Sequence, residues 1–478
     1  MAPTRSKREI AAFGVPVSAL FLSNFALGAV DTAAVARFGG IPDLAALAPG
    51  TAAMEYSCYV ISSLTAVVFN QLATVPVSKD GSTPDSSLWN ARLRPALGLG
   101  LIIGALHAIC FALFARTVAL ACGAPPEVAS RTASYLRWRA LGAATFQYSS
   151  ISSSAFFALK DSLTPLLGTL VAATINVAGD ILLCPRYGIA GAAVATSIAQ
   201  LGTLTFLRAR LKARNLLTPG GYLPTLAQAR ELLVKTVPIG VVTSARTLFY
   251  VVLGRWACQL GVAASAAQQI ASTIFWGSTS ASAEPMSVAA QTFVPEQAVA
   301  IKRAADAARE GGDAADAPRA TTRDLIETFR RLYTVSLLWG ASICAVVYGV
   351  MSPRVLRLLT PEADVISLVP RAPMIAICSI ISPMLLSEGS LLGYGATVPL
   401  MRTLLACCAA SVACGAWVAR GGAYSVSSMW WVAALFTLLR LIGNAACVAR
   451  ETAAMEAYCA TPEARASGLC EVTPAPSE

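Results

Sequence analysis

Twelve stretches of apolar residues, each about 20 or more long and parted by shorter polar gaps, set the pattern of this chain. They run at roughly 9–35, 45–72, 93–121, 128–158, 163–184, 188–210, 232–256, 262–293, 327–352, 365–391, 397–419 and 425–449, and each is long enough to cross a bilayer as a helix. An even count puts both termini on one side. With the N terminus inside, the even-numbered gaps and the two ends hold about 23 Lys and Arg, against about 9 around the odd-numbered gaps. The positive-inside bias therefore predicts both termini on the cytoplasmic side, or its organellar equivalent, and an all-α integral membrane fold.

The polar breaks divide the chain. Residues 1–8 read as a cytoplasmic N terminus, 9–210 as a first lobe of six helices, 211–231 as an inter-lobe loop with the TPGGYLP break, and 232–449 as a second lobe of six. Within the second lobe, 298–323 reads as a loop, and 450–478 reads as a disordered, Pro-containing tail. A weak internal repeat fits this division. One register lays Pro165 on Pro399 and Arg137 on Arg371, and another lays Pro16 on Pro238 and Gly39 on Gly261. Two six-helix bundles of equal orientation would be related by an axis along the membrane normal, with a cavity between them.

Composition narrows the classes. The 478 residues are 56% hydrophobic and 13% charged, with a mean hydropathy of +0.62, far from the roughly 25% charged residues of a soluble chain. The net charge of +10 lies mostly in the inside gaps, so it reflects topology and not a nucleic-acid partner. Thirteen cysteines contain no CxxC pair and sit mostly in apolar runs, as small core residues. No HExxH, GxSxG or clustered acidic pair for phosphate-bound metal occurs, and the chain has one histidine, His107, so no catalytic residue, metal site or cofactor is expected. The first apolar stretch follows Arg5, Lys7 and Arg8 and is too long for a signal h-region, and no transit segment is legible.

Ionisable residues inside apolar stretches carry the candidate chemistry, because their charge is costly there. In the fifth stretch Asn176 and Asp180, at i and i+4, share one helical face. Counting residues from the ends of their spans puts Asp31, Asn176, Asp180 and Thr196 at one level in the outer half of the first lobe. Two neighbouring buried carboxylates cannot both ionise cheaply, so they bind a proton or hold a cation, with the Asn and Thr oxygens as neutral ligands. The alternative is that Asp31 faces external water and Asp180 caps local backbone. Pro16 removes a backbone hydrogen bond from the first helix and supplies a hinge. Glu55 falls near the midplane, and Glu284 and Glu388 toward the inner face, as cavity, gate or proton-relay candidates. Arg137, Arg139 and Arg371 are candidates for contact with an anionic substrate, or for pairing and snorkelling.

At these residues the chain resembles the multidrug and toxic compound extrusion (MATE) family of antiporters. The resemblance is carried by Val30-Asp31-Thr32, Arg37-Phe38-Gly39, Leu44-Ala45-Ala46-Leu47, KDSLTPL at 160–166, Asn176 with Asp180, GIAGAAVAT at 188–196 and EGSLLG at 388–393. Ala283-Glu284-Pro285, leading to AQTFVPE at 290–296, is most similar to the plant plastid-type branch. The resemblance implies two six-helix lobes forming a V, and export of an organic solute, from drug-like compounds to organic anions, in exchange for H+ or Na+ by alternating access. It further implies that Asp31, Asn176, Asp180 and Thr196 form the ion site of the first lobe, that Pro16 bends the first helix, and that the partners are a small organic solute and the bilayer. A monomer is expected, and a plastid envelope is compatible with it. A lipid-linked sugar flippase of the same superfamily is the alternative reading, and a membrane-embedded enzyme or receptor is the alternative of another class. The seventh stretch, 232–256, lacks the carboxylate many members use, which moves the expected coupling to the first lobe.

Overall fold

The computed structural model describes residues 6–76, 84–122, 124, 126–258, 260, 262–309, 321–359, 362–421 and 424–459, and they are helical almost throughout. The first helices are α1 (Lys7–Ile61), α2 (Ser63–Ala73), α3 (Ser86–Ala121), α4 (Ala129–Ala140), α5 (Ala143–Ala158), α6 (Leu163–Tyr187), α7 (Ile189–Ala213) and α8 (Leu226–Cys258). They are followed by α9 (Val262–Ser278), a π-helical turn (Thr279–Ala283), α10 (Glu284–Arg309), α11 (Thr322–Val350), α12 (Pro353–Leu359) and α13 (Ala363–Leu368). The last three are α14 (Arg371–Tyr394), α15 (Thr397–Arg420) and α16 (Val426–Cys459).

Among the described residues ten helical segments are long and apolar enough to cross a membrane, and they coincide with ten of the twelve expected spans. The remaining two are occupied by broken helices. Span 128–158 is α4 and α5, parted by a turn at Leu141 and Gly142, and α4 is rich in polar residues. Span 262–293 is α9 and α10, joined through the π turn, whose sequence Thr-Ser-Ala-Ser-Ala lacks bulky side chains. Such single-turn π insertions widen the helix and leave carbonyls in need of partners.

Other boundaries differ from expectation. The gap at 36–44 is helical, because α1 runs through it, its two membrane-length parts being Lys7–Gly39 and Pro49–Ala73. The tenth span divides at Val369 and Pro370, where proline cannot continue the helix begun by α13. Of the loop expected at 298–323, residues 298–309 belong to α10, 310–320 lie outside the described residues, and Thr321 caps α11 with Asp324 in a reciprocal capping box. Likewise α16 continues to Cys459, into the stretch read as tail, with Met455 and Cys459 buried; 460–478 lie outside the described residues, as do 1–5.

The chain divides into two compact units, Ala19–Ser244 and Met1–Ser18 with Ala245–Glu478, so that the boundaries fall inside α1 and α8. In the first unit the KDSLTPL motif is a helix start. The Asp161 carboxylate accepts from the amides of Leu163 (3.1 Å) and Thr164 (2.9 Å) and pairs with Arg214 at 2.7 Å. At the opposite end of α6, Gly188 turns the chain with φ +54°, a left-handed value that favours glycine, and α7 begins at once. There the buried Asp43 carboxylate accepts from the Ile189 amide at 2.9 Å and pairs with Arg131. One carboxylate thus ties α1, α4 and the start of α7 together, at one end of the unit.

In the second unit α14 is the central element, buried nearly all round, and packs against α10, α11 and α16. The small residues of EGSLLG serve this packing: the backbone of Ser287 lies directly against Gly389. The beginning of α1 belongs here too. Phe13 meets Phe293 edge-on at 5.5 Å between centroids, and Ser18 Oγ donates to Ala281 O (3.1 Å) within the π turn. Ser382 Oγ donates to Ser282 O (3.2 Å), so two carbonyls of the turn are satisfied by serine hydroxyls.

Asp43→Ala is expected to lower stability by about 1–2 kcal/mol, because a capped amide and a buried hydrogen-bonded carboxylate are lost together. Arg131→Ala should cost less, since half of that side chain is exposed. Thermal unfolding of the purified protein in detergent checks the order, and equal losses would contradict it.

Candidate ion-coupling site

The α6–α7 pair is the most extensive helix contact in the first unit, and it rests on small residues. Gly191 packs against the backbone of Leu183 and Cys184, where a Cβ would collide. Close approach of the two helices brings the face bearing Asn176 and Asp180 up to Thr196. Asp31 reaches the same place from α1.

Asn176 Nδ2 donates to Asp31 Oδ1 and to Asp180 Oδ2, the latter at 3.2 Å. Both hydrogens of one amide are therefore spent on two carboxylates. Thr196 Oγ1 lies 3.4 Å from Asp31 Oδ2, and 2.9 Å from Ala192 O, its main acceptor. Cys184 Sγ lies 3.8 Å from Asp180 Oδ1. Asn176 and Asp180 are fully buried, while Asp31 and Thr196 are half-buried and open the group on one side. Asn176 Oδ1 is buried and has no hydrogen-bond partner, so an oxygen acceptor stands idle beside two carboxylates. A proton, or a cation with oxygen ligands, satisfies such a set.

The other candidates are placed as follows. Glu55 stands on the accessible side of α1, within electrostatic reach of Asp31 and Arg139. Arg137 is exposed at the end of α4, and its Nε donates to Ala112 O at 3.3 Å. Pro16 lies in α1, two residues before the unit boundary. The remaining three belong to the other unit. Arg371 opens α14 with a buried Nε lacking a partner, Glu284 follows the π turn, and Glu388 is buried in α14. Glu388 is held by two arginines, Arg440 at Oε2 and Arg246 at Oε1 (3.2 Å). The geometry therefore joins Asp31, Asn176, Asp180 and Thr196, while Arg137 is engaged elsewhere.

The family model described as "Lipid II flippase MurJ" matches residues 16–263, just over half of the chain. Protein DETOXIFICATION 47, chloroplastic, of Arabidopsis thaliana is 25% identical over 305 residues, 62% of this chain and 54% of that protein. Protein DETOXIFICATION 43 of the same plant is 33% identical over 208 residues, 42% of this chain and 38% of that protein. The chain spans about half the length, or less, of these curated relatives. The crystal structure of the Vibrio cholerae MATE transporter VcmN in the bent form is similar with a TM-score of 0.73 at 17% identity, over 95% of this chain and 98% of that one. The chain belongs to the MATE family. It is a multi-pass integral membrane protein with the MATE fold.

Sequence reasoning missed four polar residues of this MATE protein, Arg246, Arg440, Ser197 and Asp43. Arg246 and Arg440 are lone arginines in apolar helices, and only the isolation of Glu388 hinted that it needed cationic partners. Ser197 Oγ, next to Thr196 on α7, donates to the Trp138 carbonyl of α4 at 2.9 Å, beside Arg139, a sequence candidate that lies within electrostatic reach of Asp31 and Glu55. Asp43 lay in an apparent gap.

Asn176→Ala is expected to destabilise the protein by about 1–3 kcal/mol, because two buried carboxylates lose their shared donor. Thr196→Ala should change stability by well under that, about 0.5 kcal/mol, since the hydroxyl already has a backbone acceptor. Chemical or thermal unfolding in detergent ranks the two, and the reverse order would contradict this geometry.

Proposed function

We propose that this MATE-family protein is a secondary antiporter that exports an organic solute in exchange for H+ or Na+. The observation that carries the reading is the Asn176 amide bridging Asp31 and Asp180, with Thr196 beside Asp31. Two carboxylates on one amide form a site whose charge changes on uptake of a single cation or proton, and whose two helices respond to that change. Discharge at Asp31 alters α1, and Pro16 provides the place where α1 bends. Alternating access follows if the two conformations of α1 bind the ion unequally, since an ion shifts an equilibrium only by its differential affinity. The names of the two plant relatives support detoxification-type export, and the word chloroplastic in one of them supports a plastid membrane.

A second reading, a flippase for a lipid-linked sugar, draws support from the matched flippase model. It requires cations for a pyrophosphate. Arg137 serves poorly, because its guanidinium is exposed and engaged with the Ala112 carbonyl.

In proteoliposomes with an imposed H+ or Na+ gradient, the wild-type chain is expected to move an organic dye such as ethidium against its gradient. Asp31→Asn is expected to abolish the gradient-driven part while leaving the unfolding midpoint within a few degrees. Undiminished driven transport by the variant would sink the coupling role of Asp31, and gradient-independent movement of a fluorescent lipid pyrophosphate would favour the flippase.

A further inference from the structure

A polar cleft of about 370 Å³ in the first unit takes no residue from the ion-coupling site. It lies where the membrane-length segment Pro49–Ala73 ends and the segments Ser86–Ala121 and Leu226–Gly254 begin, which puts it at a bilayer surface, the level of lipid phosphates. Three helices supply its walls: Gln71 comes from α2, Arg92 from α3, and Gln228, Glu231 and Lys235 from α8. Its volume falls within the roughly 300–1,000 Å³ of small-molecule sites, and basic pockets between helices at a membrane surface are places where phosphate headgroups settle.

Local structure fixes the donors of this cleft. Arg92 Nη1 donates to the Gln71 carbonyl and to Thr74 Oγ1 (2.8 Å), which holds the guanidinium against the end of α2. The start of α3 is further clasped by the loop before α8: Asn90 Oδ1 accepts from the Thr218 amide at 3.0 Å, and Arg94 Nη2 donates to Gly221 O at 2.8 Å. That loop ends in a reciprocal cap of α8, in which Gln228 Oε1 accepts from the Thr225 amide (2.9 Å) and Thr225 Oγ1 accepts from the Gln228 amide (3.3 Å). With its oxygen so engaged, the Gln228 carboxamide keeps its amino group as a donor for the cleft. Lys235 pairs with Glu231 one turn back at 2.6 Å, but both side chains are about half exposed, and such a pair is weakly held.

We propose that Arg92, Lys235 and the Gln228 amide bind a phosphate group in this cleft, carried by a phospholipid headgroup or by a soluble phosphate ester. Two cations against one carboxylate leave the lining with one positive charge in excess, which an anionic phosphate balances. Three donor side chains converging from two helices suit a tetrahedral anion with oxygens on every side; a planar carboxylate leaves some of them unused. Lys235 turns from Glu231 to the phosphate, and Glu231 is the charge that opposes binding.

Native mass spectrometry of the purified full chain tests the site, by titration with dihexanoylphosphatidylglycerol, with glycerol 3-phosphate as the soluble ester and dihexanoylglycerol as the uncharged lipid. One phosphate-bearing ligand per chain is expected to bind at least about tenfold more tightly than dihexanoylglycerol, as charge-assisted contacts imply. Tighter binding of phosphatidylglycerol than of glycerol 3-phosphate identifies a lipid headgroup, the reverse order identifies a soluble ester, and either upholds the phosphate site. Lys235→Gln should weaken binding by about tenfold with the unfolding midpoint unchanged, since that side chain is half exposed. Glu231→Gln should tighten it by about threefold or more, the opposite sign from a glutamate that merely holds Lys235 in place. Lys212→Gln, on the exposed end of α7 and outside the cleft, should leave it unchanged. Binding of dihexanoylglycerol as tight as that of both phosphates, wild-type affinity in Lys235→Gln, weaker binding in Glu231→Gln, or equal losses in Lys212→Gln and Lys235→Gln would overturn the proposal. No ion gradient enters the measurement, so its result stands apart from the antiporter reading.

Discussion

A carboxylate inside a membrane protein persists only with a proton, a cation or a set of hydrogen-bond donors, and in the first unit that constraint falls on one amide. Asn176 gives one hydrogen to Asp31 and one to Asp180, and has none left. The two acids cannot satisfy each other without a proton between them. Much of the local structure follows from holding this group together. Asp161 starts α6, Gly188 and the small residues of α7 fold that helix back tightly, and Asp43 ties the start of α7 to α1, which brings in Asp31.

The second unit meets the same constraint differently. Its buried acid, Glu388, is held by two protein cations, Arg440 and Arg246. The packing is arranged around that arrangement as well. Glu388 lies on α14, the most enclosed helix, and the π turn just before Glu284 has its carbonyls bound by Ser18 and Ser382. Phe13, three residues before Pro16, packs on Phe293, and Ser18, two residues after it, donates to the π turn, so the start of α1 is held within the second unit on both sides of the proline.

The sequence made the membrane helices legible, because some 20 apolar residues in a row leave little choice of structure. It also made the group of Asp31, Asn176, Asp180 and Thr196 legible, because i, i+4 spacing and helix rise fix face and depth. The breaks were less readable. The π turn and the Leu141-Gly142 turn occur in runs that are apolar enough to look continuous, and the helical course of 36–44 has the composition of a polar gap. Partners across long separations were the least readable: Glu388 with Arg440, and Asp43 with Ile189, are contacts set by tertiary packing, for which one sequence gives no register.

The most direct measurement of the central claim is infrared difference spectroscopy of the purified protein, comparing low with high pH and Na+-free with Na+-loaded samples. If Asp31 and Asp180 on Asn176 are the exchange site, a protonated-carboxyl band is lost at high pH or on Na+ loading, and that change is absent in Asp180→Asn. An identical difference spectrum from the wild type and the variant would contradict the account.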